Sequence, residues 1–181
     1  MLTRAQAEEA RLYAVDALQK VGVILTPDEA SAIEVADCGL DEFSRQGMCL
    51  VTYVNTNRYC AKELVLLPRQ TFPQHRHPPV GDSPGKQETF RCRSGEVYLS
   101  ISGPESNEPR AQVPPGSEPY YTVRNEIVLR PGEQFTIPPD TWHWFQAGDE
   151  GAVVSEFSST STDDADIFAN PRIIRAPEIG E

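Results

Sequence analysis

The sequence predicts an all-β fold, an antiparallel jelly-roll barrel, for most of the chain. From Met48 onward, short segments rich in Val, Leu, Ile, Tyr and Phe alternate with clusters of Gly, Pro, Asn and Asp, a pattern typical of sandwiches and barrels. No helical pattern interrupts these segments, which favours antiparallel pairing. The 181 residues fit one domain, which buries roughly two thirds of its extended surface.

This single domain, 1–181, is predicted to have three parts. An N-terminal helical segment covers 1–40, the barrel covers 48–158, and a C-terminal tail covers 159–181. The tail either folds over the barrel or forms a surface extension. The two helices are expected to pack outside the barrel and to carry no chemistry.

Two patterns predict these helices. Apolar residues recur at nearly helical spacing over 3–21. They are Leu12, Val15, Leu18 and Val21. The segment Thr26-Pro27-Asp28-Glu29 is typical of a capping box with proline at the first helical position. It predicts a second helix that continues through Ala36 and ends at Gly39.

The barrel is predicted to contain nine strands. They lie near 48–54, 58–67, 71–77, 88–93, 96–101, 121–129, 133–137, 142–147 and 151–158. The clearest hairpin signals are Asn55-Thr56-Asn57 and Ser94-Gly95, since Asn and Gly tolerate the positive φ of tight turns.

Composition excludes several classes of function. The chain has 16 basic and 27 acidic residues and a net charge of -11, which opposes binding to nucleic acid or to anionic lipid. No run of residues approaches a membrane span, and the N-terminus lacks the pattern of a secretory signal, so we expect a cytoplasmic protein. The four cysteines lack Cys-x-x-Cys spacing and are expected to be buried free thiols.

The histidines are the strongest functional signal. The chain has three, His75, His77 and His143. Residues two apart on a strand point the same way, so His75 and His77 can present two imidazoles to one point. Glu88 on the next strand and His143 after a turn can complete the set. Three imidazoles and a carboxylate suit a divalent first-row ion, Mn, Fe, Co, Ni or Zn. A hydrogen-bonded strand end is the alternative for the His-x-His pair alone.

The spacing around these residues resembles the paired metal-binding motifs of the cupin superfamily. Glu88 is followed by Gly95, and Gly132 is followed by Pro138 and then His143. The predicted jelly roll is the fold that this resemblance implies.

A closer resemblance, from about Val21 to Arg172, is to the D-lyxose ketol-isomerase family of cupins. It rests on Lys62-Glu63-Leu64-Val65, His75-Arg76-His77, Lys86 to Arg93, Gly132 to His143 and Val154 to Asp163. The resemblance implies that His75, His77, Glu88 and His143 hold a Mn-type ion. It also implies that Lys62 and Glu156 line a sugar pocket, and that the protein is a homodimer.

These implications define a reaction, the isomerisation of D-lyxose to D-xylulose, with D-mannose and D-fructose as secondary substrates. A carboxylate must move a proton between C2 and C1 of the sugar, and Glu156 is assigned to this step. Lys62 is assigned to a sugar oxygen or to the enediolate. Which of the two transfers the proton stays open, as does a metal-assisted hydride shift.

Four further residues are assigned to the substrate. Lys86 lies in the loop 78–87, which passes the mouth of the site unless it is a solvated turn. Phe90 and Trp144 are candidates for a sugar-stacking wall, with a core position as the alternative. Asp163 lies in the tail. The acidic chain has no glycine-rich phosphate cradle, so we expect a small neutral sugar.

Three rival functions use the same metal site. A cupin dioxygenase needs a redox-active ion and oxygen. A phosphosugar isomerase needs an inward-facing arginine such as Arg76, Arg91 or Arg93. A metal-binding or sugar-binding cupin without catalysis is the third. These three functions can be separated by testing whether activity depends on oxygen, on a phosphate group of the substrate and on Glu156.

Overall fold

The structure is a computed structural model that describes residues 2–175 and 180. The described residues do not include Met1, 176–179 and 181. The predicted tail, 159–181, therefore lies partly outside them. Two α-helices, α1 (Arg4–Lys20) and α2 (Pro27–Ser31), precede the barrel. Both begin with a capping box, which confirms the one expected at Thr26.

Within the described residues the chain forms nine strands. They are β1 (Glu34–Ala36), β2 (Met48–Asn55), β3 (Cys60–Leu66), β4 (Thr71–Arg76), β5 (Glu88–Ile101), β6 (Asn125–Leu129), β7 (Gln134–Ile137), β8 (His143–Ser158) and β9 (Ile167–Phe168).

Two long antiparallel strands, β5 and β8, organise the barrel. They pair from Glu88 opposite Ser158 to Ile101 opposite His143. The second half of β8 also pairs with β3, whereas its first half pairs with β4. In the same way, β5 pairs first with β7 and then with β6. The two strands therefore run through both halves of a curled sheet. The predicted jelly roll is confirmed.

The bends of these strands lie at one end of the barrel. Register shifts interrupt the pairing near Cys92 and Gly95, and residues 148–151 of β8 bulge out between Ala147 and Ala152. We call this the bend end. We call the opposite end, where Glu88 and His143 begin their strands, the histidine end.

Several predicted boundaries are wrong. The second helix ends at Ser31, and Glu34–Ala36 form β1 instead, because β1 pairs with β2 and buries Val35 and Ala36. Ser94 and Gly95 form no hairpin, since β5 continues through them. Gly95 has φ +71°, and a Cβ there would lie 2.0 Å from the Gly151 carbonyl oxygen. The segments 142–147 and 151–158 belong to one strand, β8.

The sheet has an apolar layer on each side. Inward-facing residues such as Leu64, Leu66 and Leu99 form the barrel core. Outward-facing Val51, Val65 and Val153 pack beneath α1, so α1 lies outside the barrel as expected.

The face that α1 buries differs from the prediction. It consists of Ala7, Ala10, Ala14 and Leu18, whereas Leu12 is 63% exposed. The four cysteines are buried and free, as expected. No helix among the described residues is long and apolar enough to cross a membrane.

Candidate metal centre

The histidine end of the barrel gathers the four predicted metal ligands. His75 on β4 lies directly opposite His143 on β8, while His77 follows β4 and Glu88 begins β5. One potential ligand atom from each residue lies within 4.8 Å of the others. All four residues are at most 4% exposed. Strand alternation, which turns every second side chain inward, thus brings the cluster together.

Hydrogen bonds fix the orientation of each imidazole. The Nδ1 atom lies 2.8 Å from the Pro73 carbonyl in His75, 2.5 Å from Asp166 Oδ1 in His77, and 2.9 Å from the Thr141 carbonyl in His143. A carbonyl or ionised carboxylate oxygen can only accept a hydrogen bond, so each Nδ1 donates. In a neutral ring the Nε2 lone pair then faces the cluster, as in metal sites.

Glu88 faces two of these nitrogens. Its Oε1 lies 3.0 Å from His77 Nε2 and 2.9 Å from His143 Nε2. Among the described residues, His143 Nε2 is a buried atom without a hydrogen-bond partner. A lone pair facing a carboxylate oxygen at this distance is repulsive, and a cation between the atoms removes the repulsion. The residues therefore fit a divalent first-row ion.

The pKa values of the cluster differ from one residue to the next, because burial and neighbouring charges act in opposite directions. Burial lowers the pKa of His75 well below its usual value, and His143 and His77 lower it further. Burial alone would raise the pKa of Glu88, but Lys86 and His77 hold it well below its usual value. Burial likewise opposes a charge on His77, but Glu88 and Asp166 raise the pKa of this imidazole to about 9. A metal ion that binds His77 must therefore displace its proton.

A network of buried charges adjoins the cluster. Lys86 Nζ lies 2.8 Å from Glu88 Oε2, 3.0 Å from Glu156 Oε1 and 3.8 Å from Asp163 Oδ1. Burial opposes its charge, but these three carboxylates raise the pKa of Lys86 well above its usual value. Lys62 Nζ donates to Ser161 Oγ at 2.9 Å and to Asp163 Oδ2 at 2.7 Å. The lysine that contacts Glu156 is thus Lys86.

The predicted catalytic pair faces the barrel interior. Lys62 and Glu156 are directly opposite each other on β3 and β8, and each is 4% exposed. The orientation that sequence alone left open is therefore inward for both. A small cavity lies among Lys62, His75, Lys86, Glu88, Phe90 and Glu156. Its volume of about 20 Å³ holds one water molecule, so a sugar requires the lining side chains to move.

The two aromatic candidates lie in different places. Phe90 lines the cavity and meets Phe145 edge to face at 5.0 Å. Trp144 does not reach it, because it lies on the other face of β8 from His143 and Phe145. There its Nε1 donates to the Val123 carbonyl at 2.7 Å, and its ring packs against Tyr121. The assignment of Trp144 to the sugar is therefore corrected to a packing position, and Phe145 lines the cavity instead.

Sequence reasoning missed Asp166 and Arg175. Asp166 contacts His77, and Arg175 Nη2 lies 3.5 Å from Asp163 Oδ2. The acids at 163, 164 and 166 were the available signal, but nothing in their spacing distinguishes the carboxylate that faces a histidine.

Fold and cluster together define a cupin-type barrel that carries a candidate three-histidine, one-glutamate metal centre. Comparison with known proteins is more specific. A sequence model described as D-lyxose isomerase matches residues 26–181. The chain belongs to the D-lyxose isomerase family.

Close relatives agree with this membership. The chain is 58% identical to a D-lyxose/D-mannose isomerase of Thermosediminibacter oceani, over 99% of each chain. It is 60% identical to a D-lyxose ketol-isomerase of Cohnella laeviribosi, over 94% of each chain. Among solved structures, an L-ribose isomerase variant of Acinetobacter sp. DL28 in complex with L-ribose matches with a TM-score of 0.83 and 16% identity, over 99% of this chain and 98% of that one. At this low identity, the similarity to the L-ribose isomerase structure supports the fold alone.

Proposed function

We propose that the protein is a metal-dependent aldose–ketose isomerase that interconverts D-lyxose and D-xylulose in the cytoplasm. D-mannose and D-fructose are its proposed secondary substrates, and the name of the Thermosediminibacter relative, a D-lyxose/D-mannose isomerase, supports D-mannose. The observation that carries the proposal is the buried carboxylate of Glu156, joined through Lys86 to Glu88 of the metal cluster. An aldose–ketose isomerisation needs both a Lewis acid and a proton carrier, and this arrangement places candidates for both beside one cavity.

The proposed ion is Mn²⁺, held by His75, His77, Glu88 and His143. The donor set also suits Zn²⁺, Fe²⁺, Co²⁺ and Ni²⁺. An ion bound there supplies Lewis-acid polarisation of the sugar carbonyl. The chain itself fixes the three imidazole rings and excludes bulk water from the cluster.

Glu156 is the proposed proton carrier. Its carboxylate removes the proton from C2 of the aldose and adds it to C1 of the resulting enediol, while the hydroxyl proton passes from O2 to O1, so that C2 becomes the carbonyl carbon of the ketose. Lys86 orients this carboxylate through the contact at 3.0 Å. Because the cavity is small, its lining side chains must move when the substrate binds, and Lys86 is a proposed donor to a sugar oxygen. Lys62, held by Ser161 and Asp163, is the proposed donor to a second sugar oxygen during ring opening.

The decisive experiment is isomerisation in D₂O by metal-stripped protein supplied with Mn²⁺. D-lyxose is the substrate, under argon, and the product is analysed by chromatography and NMR. We expect Mn²⁺-dependent D-xylulose with deuterium at C1, because a carboxylate exchanges its proton with solvent. D-xylulose without deuterium would show that the hydrogen reaches C1 without exchange with solvent, as in a hydride shift or in transfer by a shielded carboxylate, and the rate of Glu156→Gln would then separate these two routes.

Two controls separate the rival functions. Turnover under argon excludes an oxygenase, and D-lyxose 5-phosphate tested beside D-lyxose measures any preference for phosphosugars. Absence of product from D-lyxose and D-mannose with every one of the five metals would contradict the proposed function.

A homodimer is part of the proposal. Among the described residues, β6 and β7 each pair only with β5, so their outer edges are available to a second copy. Light scattering of the eluting protein should give twice the mass of one chain, and a monomer at micromolar concentration would contradict this part.

A further inference from the structure

The segment 159–170, which we call the strap, crosses the histidine end of the barrel. Ser161 and Asn55 exchange two hydrogen bonds of 3.0 Å. Asp163 then contacts Lys62, and β9 pairs with β4, with Phe168 stacked 5.4 Å from the ring of His75. The strap is therefore fastened both to the charge network and to the strand that carries the histidines.

Asp166 is the point at which the strap reaches the metal cluster. Its Oδ1 accepts from His77 Nδ1 at 2.5 Å, and its side chain is 4% exposed. The other two imidazoles use carbonyls only two residues away in sequence, whereas His77 and Asp166 are 89 positions apart. The orientation of His75 and His143 is thus local to their strands, and that of His77 depends on the docked strap.

We propose that Asp166 is a positioning residue that couples metal binding to docking of the strap. By accepting a hydrogen bond from Nδ1, it holds the Nε2 lone pair of His77 toward the cluster. It also makes the imidazole more basic, and therefore a stronger ligand for a metal ion. Any interaction by which the strap favours the ion must also let the ion favour the docked strap, since linkage is reciprocal. The inference rests on the metal site of the proposed function.

Binding of Mn²⁺ to the full-length, metal-stripped protein tests the first half of this coupling. Isothermal titration of the wild type and of Asp166→Ala should show an affinity lower in the variant by about 10- to 100-fold. Asp166→Asn retains an oxygen that accepts from Nδ1 and should recover part of the loss. Asp164→Asn is the matched control. It removes the same charge from an exposed position two residues earlier in the strap, and its affinity should equal that of the wild type.

Amide hydrogen exchange tests the second half. Adding Mn²⁺ should slow exchange in peptides covering 161–170 of the wild type and of Asp164→Asn, but much less in Asp166→Ala. A purely structural role would loosen the strap in Asp166→Ala while leaving the Mn²⁺ affinity unchanged, and that result overturns the inference. Equal losses of affinity in the variants at 164 and 166 overturn it as well.

The proposed function and the coupling through Asp166 can be refuted separately. A wild-type protein that binds no divalent ion would remove the metal site of the proposed function and the inference with it. A wild type that binds Mn²⁺ and isomerises D-lyxose, beside an Asp166→Ala variant of equal affinity, would remove the inference alone. If Asp166→Ala does not fold, Asp166→Leu decides, because leucine fills the space of the aspartate but has no oxygen that accepts from His77 Nδ1, and a loss smaller than twofold in this variant would count against the coupling.

Discussion

The histidine end and the bend end of the barrel are built from the same strands but differ in what those strands turn inward. On β3, Lys62 faces inward at the histidine end, and Leu64 and Leu66 do so toward the bend end. On β8, Glu156 and Val154 show the same change within two residues. Because an unpaired buried charge is strongly destabilising, charged residues persist at such positions only with partners. The histidine end thus holds the buried charged residues of the candidate site, and the bend end holds apolar residues of the barrel core.

Of the variants that test this difference between the two ends, Glu156→Gln is expected to have the largest effect on kcat. The variant keeps the size of the side chain but loses the proposed proton carrier, so kcat for D-lyxose should fall by about 10²- to 10⁴-fold. Steady-state assays with saturating Mn²⁺ measure it. Val154→Ala, two residues earlier on the same face of β8, is the control and should keep kcat. A rate within tenfold of the wild type would move proton transfer to another group, such as Lys62.

Leu66→Ala tests the bend end. Leu66 is fully buried in the barrel core, so removing its side chain should lower the free energy of unfolding by about 2–5 kcal/mol. Urea denaturation measures the loss, and kcat per folded molecule should stay unchanged. A fall in kcat comparable to that of Glu156→Gln would show that the two ends are not separable.

Gly95→Ala tests the bend itself. The positive φ alone costs an L-residue about 1–2 kcal/mol, and the new Cβ would also meet the Gly151 carbonyl at 2.0 Å. Gly116→Ala is the matched control, because Gly116 has φ +83° and nothing within 4 Å of an added Cβ. Thermal unfolding should show a larger loss for Gly95→Ala. Equal losses would mean that β5 and β8 can separate there at no cost.

The smallest effect is a pH dependence confined to the histidine end. Burial alone would raise the pKa of Asp163, but Lys86 and Lys62 lower it well below its usual value. Its contribution to stability is therefore present above the unfolded pKa near 4 and is lost as pH falls. From pH 5 to pH 3.5 the difference in unfolding free energy between wild type and Asp163→Asn should shrink by about 0.7 kcal/mol. Urea titrations at both pH values measure it.

The same titrations supply a comparison with the bend end. The difference between wild type and Leu66→Ala should not change with pH, because no charge is altered. If the Asp163→Asn difference were equally constant, Asp163 would carry no depressed pKa in the folded protein.

The sequence predicted those features of the fold that depend on neighbouring residues, and it failed where a feature depends on contacts between distant segments. The capping box at Thr26 is local and was predicted correctly. The end of that helix was not, because Val35 and Ala36 are drawn into β1 by pairing with β2, a contact with a distant segment. Gly95 has the positive φ that a glycine there suggested, but the hairpin predicted from it is wrong, because β5 continues through the bend along its long partner strand β8.

The site shows the same limit. Spacing of two on a strand predicted that His75 and His77 share one face, and the cluster confirms that these rings and His143 converge. Spacing could not choose between Lys62 and Lys86 as the neighbour of Glu156, because the loop that carries Lys86 has no period. Asp166 was beyond reach for a similar reason: its partner is far away in sequence.

The bulge of β8 at 148–151 has a further consequence. Asp149 and Glu150 are exposed there, and all four candidate ligands precede them, whereas Glu156, Asp163 and Asp166 follow. A backbone cut between these two residues would leave the candidate ligands on one fragment, and the carboxylates of the proposed proton carrier and of the strap on the other. We expect the proposed activity to return only when the two fragments meet, which is the basis of a complementation reporter.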